Sequence, residues 1–400
     1  MDIGFPEALT VVGLLLIAAA AASGLVQRTV LSISVLSVTA GIVLDLAGVV
    51  ALDPGAQSLV YVVELVLLIT LFGDGLLVER QFLREHWRAP ARALAVAMPL
   101  NAALLAIAAK ALFGDLSWAE AFLLGFVLSP TDPVITSSIV TSVKVPTRVR
   151  NIVNLESGLN DGLALPFVLL FLELSIGDTG ELAGTIGGLS LETLLGVAVG
   201  AMLALAAGLL LGRLPEWALE GRFEGLYALG LGLAAFGVAE LFEGNGLIAA
   251  FCAGLVLAVT RHEIPEIFSE LNESVGAVLQ VVAFALFGAL IVETGLDVSV
   301  LPLAAFIAFA LLLARPASIL VSFVGIPLTG TEKGFIAWFG PKGIASMLFA
   351  LFVLNSGAPD RSLVFDVAAF TILASILAHG LTDTLGARWV ERRMSARGPG

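Results

Sequence analysis

Runs of about twenty apolar residues recur along almost the whole chain, and they limit its fold more than any other feature. About 20 residues of helix cross a hydrocarbon layer of ~30 Å. Backbone in that layer must satisfy its own polar groups, which leaves helices or closed barrels. Thirteen runs of helical length are found, at 8–26, 30–50, 58–78, 91–113, 118–142, 150–173, 189–212, 223–242, 245–260, 272–293, 298–325, 332–353 and 363–386. Charged residues make up 13% of the 400 and apolar ones 58%, with a mean hydropathy of +1.02. That leaves too little polar surface for a water-soluble globule. The expectation is an all-α polytopic membrane protein of thirteen transmembrane helices. The first run lacks a basic leader and reads as a retained helix. One cysteine, Cys252, and three histidines leave no Cys/His metal cluster, and a net charge of −13 argues against a nucleic-acid partner. No cofactor is implied.

The charges between the runs test this division. Sixteen basic residues fall in the odd-numbered loops and the C-terminus, among them Arg80, Arg84, Arg88 and Arg92, Lys144, Arg148 and Arg150, and Arg388, Arg392 and Arg393. Arg361 alone falls in the even-numbered loops or the N-terminus, beside acids such as Asp53, Asp115 and Glu243. The positive-inside rule then predicts a cytoplasmic C-terminus and an external N-terminus in the cell's inner membrane.

Two runs are interrupted. The fifth reads Ser129-Pro130-Thr131-Asp132-Pro133 and the twelfth Gly340-Pro341-Lys342-Gly343, each with proline and a charge at mid-depth. Proline removes a backbone donor and restricts the residue before it. A simple kink needs no charge at its apex. Runs five and twelve are seven apart, so they traverse the membrane in opposite directions. An inverted repeat of segments 1–6 and 8–13 with two crossed discontinuous helices gives this pattern, which points to a midplane binding site. At the crossing Asp132 would balance the positive end of a half-helix and Lys342 a negative one.

An ionisable group at the bilayer centre costs about 2.5–3.5 kcal/mol on insertion scales, so each needs a partner or a task. Segment six carries the densest set, Glu156-Ser157-Gly158-Leu159-Asn160-Asp161. Residues four apart share a helix face. Ser157 and Asp161 thus offer oxygen ligands for a hard cation on one face, with Glu156 and Asn160 on the next. Arg315 in segment eleven requires a carboxylate, and guanidinium takes one bidentately. Glu156 is assigned to it, with Asn160 hydrogen-bonding nearby. Asp161 is then left without a dedicated counter-charge and can hold a proton or a cation, one at a time. Glu64 is a candidate for lining an ion path or joining the Arg315 network. Asp74, beside Gly75 near the inner end of segment three, reads as solvated. Lys110 reads as snorkelling, and His379 as an interfacial or packing residue.

Thr131-Asp132-Pro133, Glu156-Ser157-Gly158-Leu159-Asn160-Asp161-Gly162, Arg315-Pro316 and Gly340-Pro341-Lys342-Gly343 together resemble the Na⁺/H⁺ antiporters of the first cation:proton antiporter subfamily, the prokaryotic NhaP type above all. The resemblance implies one transporter unit over 1–386 and a short cytoplasmic tail at 387–400. Its core domain would comprise 91–173 and 298–386, and its dimerisation domain 8–78 and 189–293, in a homodimer within the lipid bilayer. It implies that Asp161, Thr131 and Ser157 hold Na⁺ or the proton, that Glu156 and Arg315 form an ion pair with Asn160 attached, and that the core moves elevator-like. Asn-Asp in place of Asp-Asp implies electroneutral 1:1 exchange. Gly158 stands where a larger apolar residue is usual, and Lys342 where many relatives have arginine.

A K⁺/H⁺ antiporter is the nearest alternative, since selectivity depends on cavity size and donor geometry. A Na⁺-coupled symporter of similar fold would need a second polar cluster for its substrate. A channel would need a selectivity-filter repeat, and a membrane hydrolase a Ser/His/Asp or metal constellation.

Overall fold

The computed structural model describes residues 5–26, 33–50, 52–54, 56–76, 78, 87–132, 145–177, 182–213, 221–260, 266–295 and 297–395. Among these residues all regular structure is helical. The helices are α1 Phe5–Val26, α2 Ile33–Leu46, α3 Gln57–Leu76, α4 Arg88–Leu112, α5 Trp118–Val127, α6 Thr147–Ile176, α7 Leu182–Arg213, α8 Gly221–Leu241, α9 Gly246–Thr260, α10 Glu266–Thr294 and α11 Val300–Ser322. Segment twelve is split into α12 Gly330–Trp338 and α13 Ile344–Leu354, and α14 spans Arg361–Ser395. Seven of the described helices are long and apolar enough to cross a membrane, and six shorter apolar helices accompany them.

Each element follows the apolar run that predicts it, with informative departures. The last helix does not stop near 386 but continues to Ser395, so most of the expected separate tail is more of α14. The expected second half of segment five, at 133–142, lies outside the described residues, as do Arg28, Arg80, Arg84, Lys144, Arg261 and Arg397. Lys110, at the end of α4, donates to Gly114 O (2.9 Å) and Leu116 O in the following turn.

The same local devices recur seven segments apart. α4 and α11 each contain one π turn, at Ala93–Ala97 and Ala310–Ala314. Each π turn is followed two residues later by proline, Pro99 and Pro316. A proline ring collides with the preceding turn and lacks its N–H, and a widened turn relieves both problems. The two interrupted segments also begin alike, with capping boxes at Ser117/Glu120 and Thr329/Glu332. There the hydroxyl and the carboxylate satisfy each other's backbone donors.

Packing sorts the helices into groups. α2 lies along α10, and α9 lies between α3 and α7. Glycines bring these backbones together: a Cβ on Gly41 would overlap Ala285, one on Gly254 would overlap Phe72, and one on Gly200 would overlap Ala249. α4 and α5 meet in the same way at Gly125 and Ala102. A large apolar cluster containing Phe284, Phe287, Phe306, Phe349 and Phe365 fills most of the interior. A second, smaller cluster joins Ile152 of α6 to Phe323, Phe335 and Ile336. The outward faces are aliphatic, as Leu194, Leu209 and Leu313 illustrate, and suit contact with lipid chains.

Candidate functional site

The site is built where the two interrupted segments meet. α5 ends at Val127, and its final turn is closed by Leu128 N to Leu124 O (3.1 Å) and by Ser129 Oγ to Gly125 O (2.8 Å). Pro130 has no donor to continue the helix. The chain runs on extended, and the Asp132 N–H donates across to Pro341 O at 2.9 Å. In the other segment α12 ends at Trp338, and α13 begins at Ile344 after Phe339-Gly340-Pro341-Lys342-Gly343. This crossing leaves half-helix ends inside the protein, where their unpaired N–H and C=O groups need partners.

Asp132 and Lys342 supply two of these partners. The Ile344 N–H, at the head of α13, donates to Asp132 Oδ2 (3.3 Å). Lys342 Nζ donates to Pro130 O (3.3 Å) and Ser129 O (3.4 Å), at the tail of α5. Charges of these signs at these ends also oppose the helix dipoles. The approach depends on glycine: a Cβ on Gly343 would overlap the Asp132 side chain, and one on Gly340 would overlap the Arg315 guanidinium. Lys342 is 3% exposed and Asp132 8%.

α6 passes beside the crossing and presents two faces. On one, Arg315 Nη1 donates to Glu156 Oε1 (3.0 Å) and Nη2 to Oε2 (3.4 Å), a buried two-point ion pair. Asn160 was expected beside this pair, and its polar contacts lie elsewhere. Its Nδ2 donates to Thr131 Oγ1 (2.7 Å), and its Oδ1 accepts from Thr131 N (3.4 Å). Both ends of the amide are therefore used to fix Thr131 just after the helix break. A small polar pocket lies on this side, lined by Asn101, Ser129, Glu156, Asn160, Arg315 and Ser318. Neither Asp161 nor Ser157 borders it, so it is separate from the other face of α6.

That other face carries Ser157 and Asp161. Ser157 Oγ and Thr131 Oγ1 are 3.0 Å apart; Thr131 Oγ1 also accepts from Asn160, so with Thr131 as donor to Ser157 each hydroxyl keeps one lone pair for a further ligand. Asp161 is 6% exposed, and its Oδ1 has no hydrogen-bond partner. Its neighbour is Asp74 of α3, which sequence reasoning placed in solvent. The two carboxyl groups are within hydrogen-bonding reach of each other, and Asp74 Oδ2 is likewise buried without a partner. Asp132 and Lys342 are the other charged groups acting on Asp161. Gly158 allows this approach, since its Cβ position lies 3.5 Å from Asp74 O. A Cβ there would make an ordinary van der Waals contact with Asp74 O.

The structure also places Glu64 and His379. Glu64 is half-buried beside Glu240 of α8, whose Oε1 accepts from Gly246 N (2.8 Å). Arg315 pairs with Glu156 rather than with Glu64. His379 takes the packing role of its two expected readings: it is 2% exposed, with both ring nitrogens against backbone carbonyls.

Residues 13–385 match the family described as sodium/hydrogen exchanger, transmembrane. The K(+)/H(+) antiporter NhaP of Alkalimonas amylolytica is 27% identical over 354 residues, 86% of this chain and 60% of the relative. The K(+)/H(+) antiporter NhaP2 of Shewanella oneidensis is 27% identical over 308 residues, 75% of this chain and 52% of the relative. This chain thus spans only part of the length of these relatives. The sodium proton antiporter MjNhaP1 of Methanocaldococcus jannaschii superposes with a TM-score of 0.79 at 17% identity, covering 96% of this chain and 99% of that one. The fold is therefore shared with MjNhaP1, and the chain belongs to the sodium/hydrogen exchanger transmembrane family.

Proposed function

We propose that this protein is a secondary antiporter that exchanges one monovalent cation, Na⁺ or Li⁺, for one proton at Asp161. The observation that carries the reading is the facing of Asp161 and Asp74 beside the Thr131–Ser157 hydroxyl pair, at the crossing of two interrupted helices. An acid pair holding one proton has a charge of −1, and the same pair holding one monovalent cation in place of that proton also has −1. One ion is exchanged for the other, and each cycle moves no net charge. Hydroxyl and carboxylate oxygens suit a hard cation. Asp161, Ser157 and Thr131 are its ligands here, and Glu156, Arg315 and Asn160 hold the frame. No covalent chemistry is assigned to the site.

K⁺ in place of Na⁺ is the second reading, favoured by the names of the Alkalimonas and Shewanella relatives. The remaining expectations form part of the same proposal: a homodimer in the cell membrane, the N-terminus outside and the C-terminus in the cytoplasm, and a mobile core of 91–173 and 298–386 against a scaffold of 8–78 and 189–293.

The test is proton movement in proteoliposomes with a trapped pH dye, driven by Na⁺, Li⁺, K⁺ or choline, with and without valinomycin to clamp the potential. Wild type should respond to Na⁺ and Li⁺ equally under the clamp, and Asp161→Asn should abolish the response. A response to K⁺ alone would change the substrate, and coupled flux with no cation would remove the antiport reading.

A further inference from the structure

Ser157 and Asp161 have a counterpart in the second half of the chain. Each interruption contains proline followed by a polar residue, Pro130-Thr131 and Pro341-Lys342. In each half, the next long helix sends a serine to that residue. Ser157 of α6 meets the Thr131 hydroxyl (3.0 Å), and Ser375 of α14 accepts from Lys342 N at 2.9 Å. In each half a titratable side chain stands one helical turn beyond the serine, Asp161 in α6 and His379 in α14.

His379 brackets the second break from both sides. Its Nε2 is 2.9 Å from Trp338 O, the last residue of α12. A carbonyl only accepts, so Nε2 carries a proton. Nδ1 faces the Ser375 hydroxyl at 3.1 Å, which can donate to it, and Ser375 O at 2.8 Å, which would accept a second proton. The hold on Trp338 is therefore the same in the neutral and charged rings. Trp338 is itself fixed, packed at a 37° tilt against the imidazole with ring centroids 5.2 Å apart and donating from Nε1 to Thr382 Oγ1 at 3.1 Å. Ser375 is fully buried.

We propose that His379, acting with Ser375, is a positioning residue for the ion site. It sets the 339–343 break, the break sets Lys342, and Lys342 holds the α5 carbonyls immediately before Thr131. This rests on the proposed exchange at Asp161. It places a position-determining residue about a whole half-chain away from the carboxylate it serves.

The test compares His379→Leu, Ser375→Ala and His379→Gln with wild type in full-length protein. Glutamine keeps an N–H donor that can reach Trp338 O, and leucine keeps only bulk. Backbone hydrogen–deuterium exchange across 339–345 is read in purified protein, and apparent KM for Na⁺ against Vmax in proteoliposomes. In His379→Leu and Ser375→Ala, exchange at the break should quicken and KM should rise about tenfold, the scale of one lost hydrogen bond. Vmax should stay within about threefold, and glutamine should recover most of the lost affinity. Wild-type exchange at the break in His379→Leu would overturn the proposal, as would glutamine damaging KM as much as leucine. Should wild type move no protons with any cation, the antiport reading fails and the positioning role with it. A quickened break in the variants would then leave only the hydrogen bonding intact.

Discussion

At the scale of single residues, the site is a balance of three carboxylates, Asp161, Asp74 and Asp132, and the Lys342 ammonium group in a poorly hydrated place. A carboxylate 4 Å from a monovalent cation attracts it by about 4 kcal/mol at an effective dielectric of ~20. Asp74 therefore adds to cation binding even though Asp161 is the group beside the hydroxyls. Asp74→Asn keeps the volume and the hydrogen bonding but removes that attraction. The variant should still exchange cations for protons at Asp161, with an apparent KM raised about tenfold or more, the conversion of ~1.4 kcal/mol or more. A KM unchanged from wild type would remove Asp74 from the site. Much of this constellation is legible in the sequence, because i, i+4 spacing places Ser157 with Asp161, and a buried arginine calls for a carboxylate such as Glu156. Asp74 was missed for a physical reason. Two residues from the end of α3, it reads as lying at a membrane surface, whereas α6 covers that end. The available signal was glycine: Gly75 lets α9 approach α3, and Gly158 lets α6 reach Asp74. The reach of Asn160 to Thr131 and of His379 to Trp338 is not legible, because local spacing cannot show which interruption a side chain will meet.

At the scale of elements, the interrupted segments are held at their outer ends as well as at the crossing. Glu120 closes the capping box of α5 with Ser117 N at 2.8 Å, and its other oxygen accepts from Asp360 N at 2.9 Å. One carboxylate thus ties the head of α5 to the head of α14. The S-x-x-E and T-x-x-E patterns that begin both segments were present to be read. The π turns had no comparable signature apart from the prolines that follow them. Asp360 bears a cost of this arrangement, since burial first, and then Glu120 and Asp115, raise its carboxyl above the ordinary carboxylate range. A carboxyl raised in the folded state binds its proton more tightly there than in the unfolded chain. Stability is therefore lost as pH rises from the ordinary value through the raised one. Asp360→Asn retains N-cap chemistry and removes the repulsion. It should melt at a higher temperature than wild type at pH 7, with the gap closing below the ordinary carboxylate range. The effect should be small, because Asp360 is largely open to solvent screening. A gap that widened in acid would contradict this account.

At the scale of the whole molecule, glycine contacts divide the helices in two. Within α2, α3, α7, α9 and α10, backbones touch so closely that any Cβ would collide: Gly41 with Ala285, Gly254 with Phe72, Gly288 with Val38 and Gly200 with Ala249. Within the other set, Gly125 of α5 touches Ala102 of α4 in the same way. Where α6 meets α3 the contact is looser, with the Gly158 Cβ position at ordinary van der Waals distance from Asp74 O, and where α6 meets α9 a Cβ on Gly162 would overlap the Phe251 ring, a side chain rather than a backbone. Interlocked backbones resist sliding, because packed interiors rearrange between discrete states rather than deforming smoothly. A seam whose glycines meet side chains or ordinary contacts, not interlocked backbones, can break and re-form. This contrast favours a moving core that includes α6 against a scaffold that includes α3 and α9, and it predicts how three substitutions will separate. Gly254→Ala should destabilise the protein by about 1–3 kcal/mol, the range for overpacking, and lower its melting temperature. Gly158→Ala should leave melting unchanged. Gly158→Leu should leave melting close to wild type yet reduce the rate of exchange, because bulk at the seam obstructs the approach of Asp74 to Asp161 at each cycle. If Gly158→Leu instead lost stability as Gly254→Ala does, α6 and α3 would belong to one rigid body, and movement would have to occur along another seam.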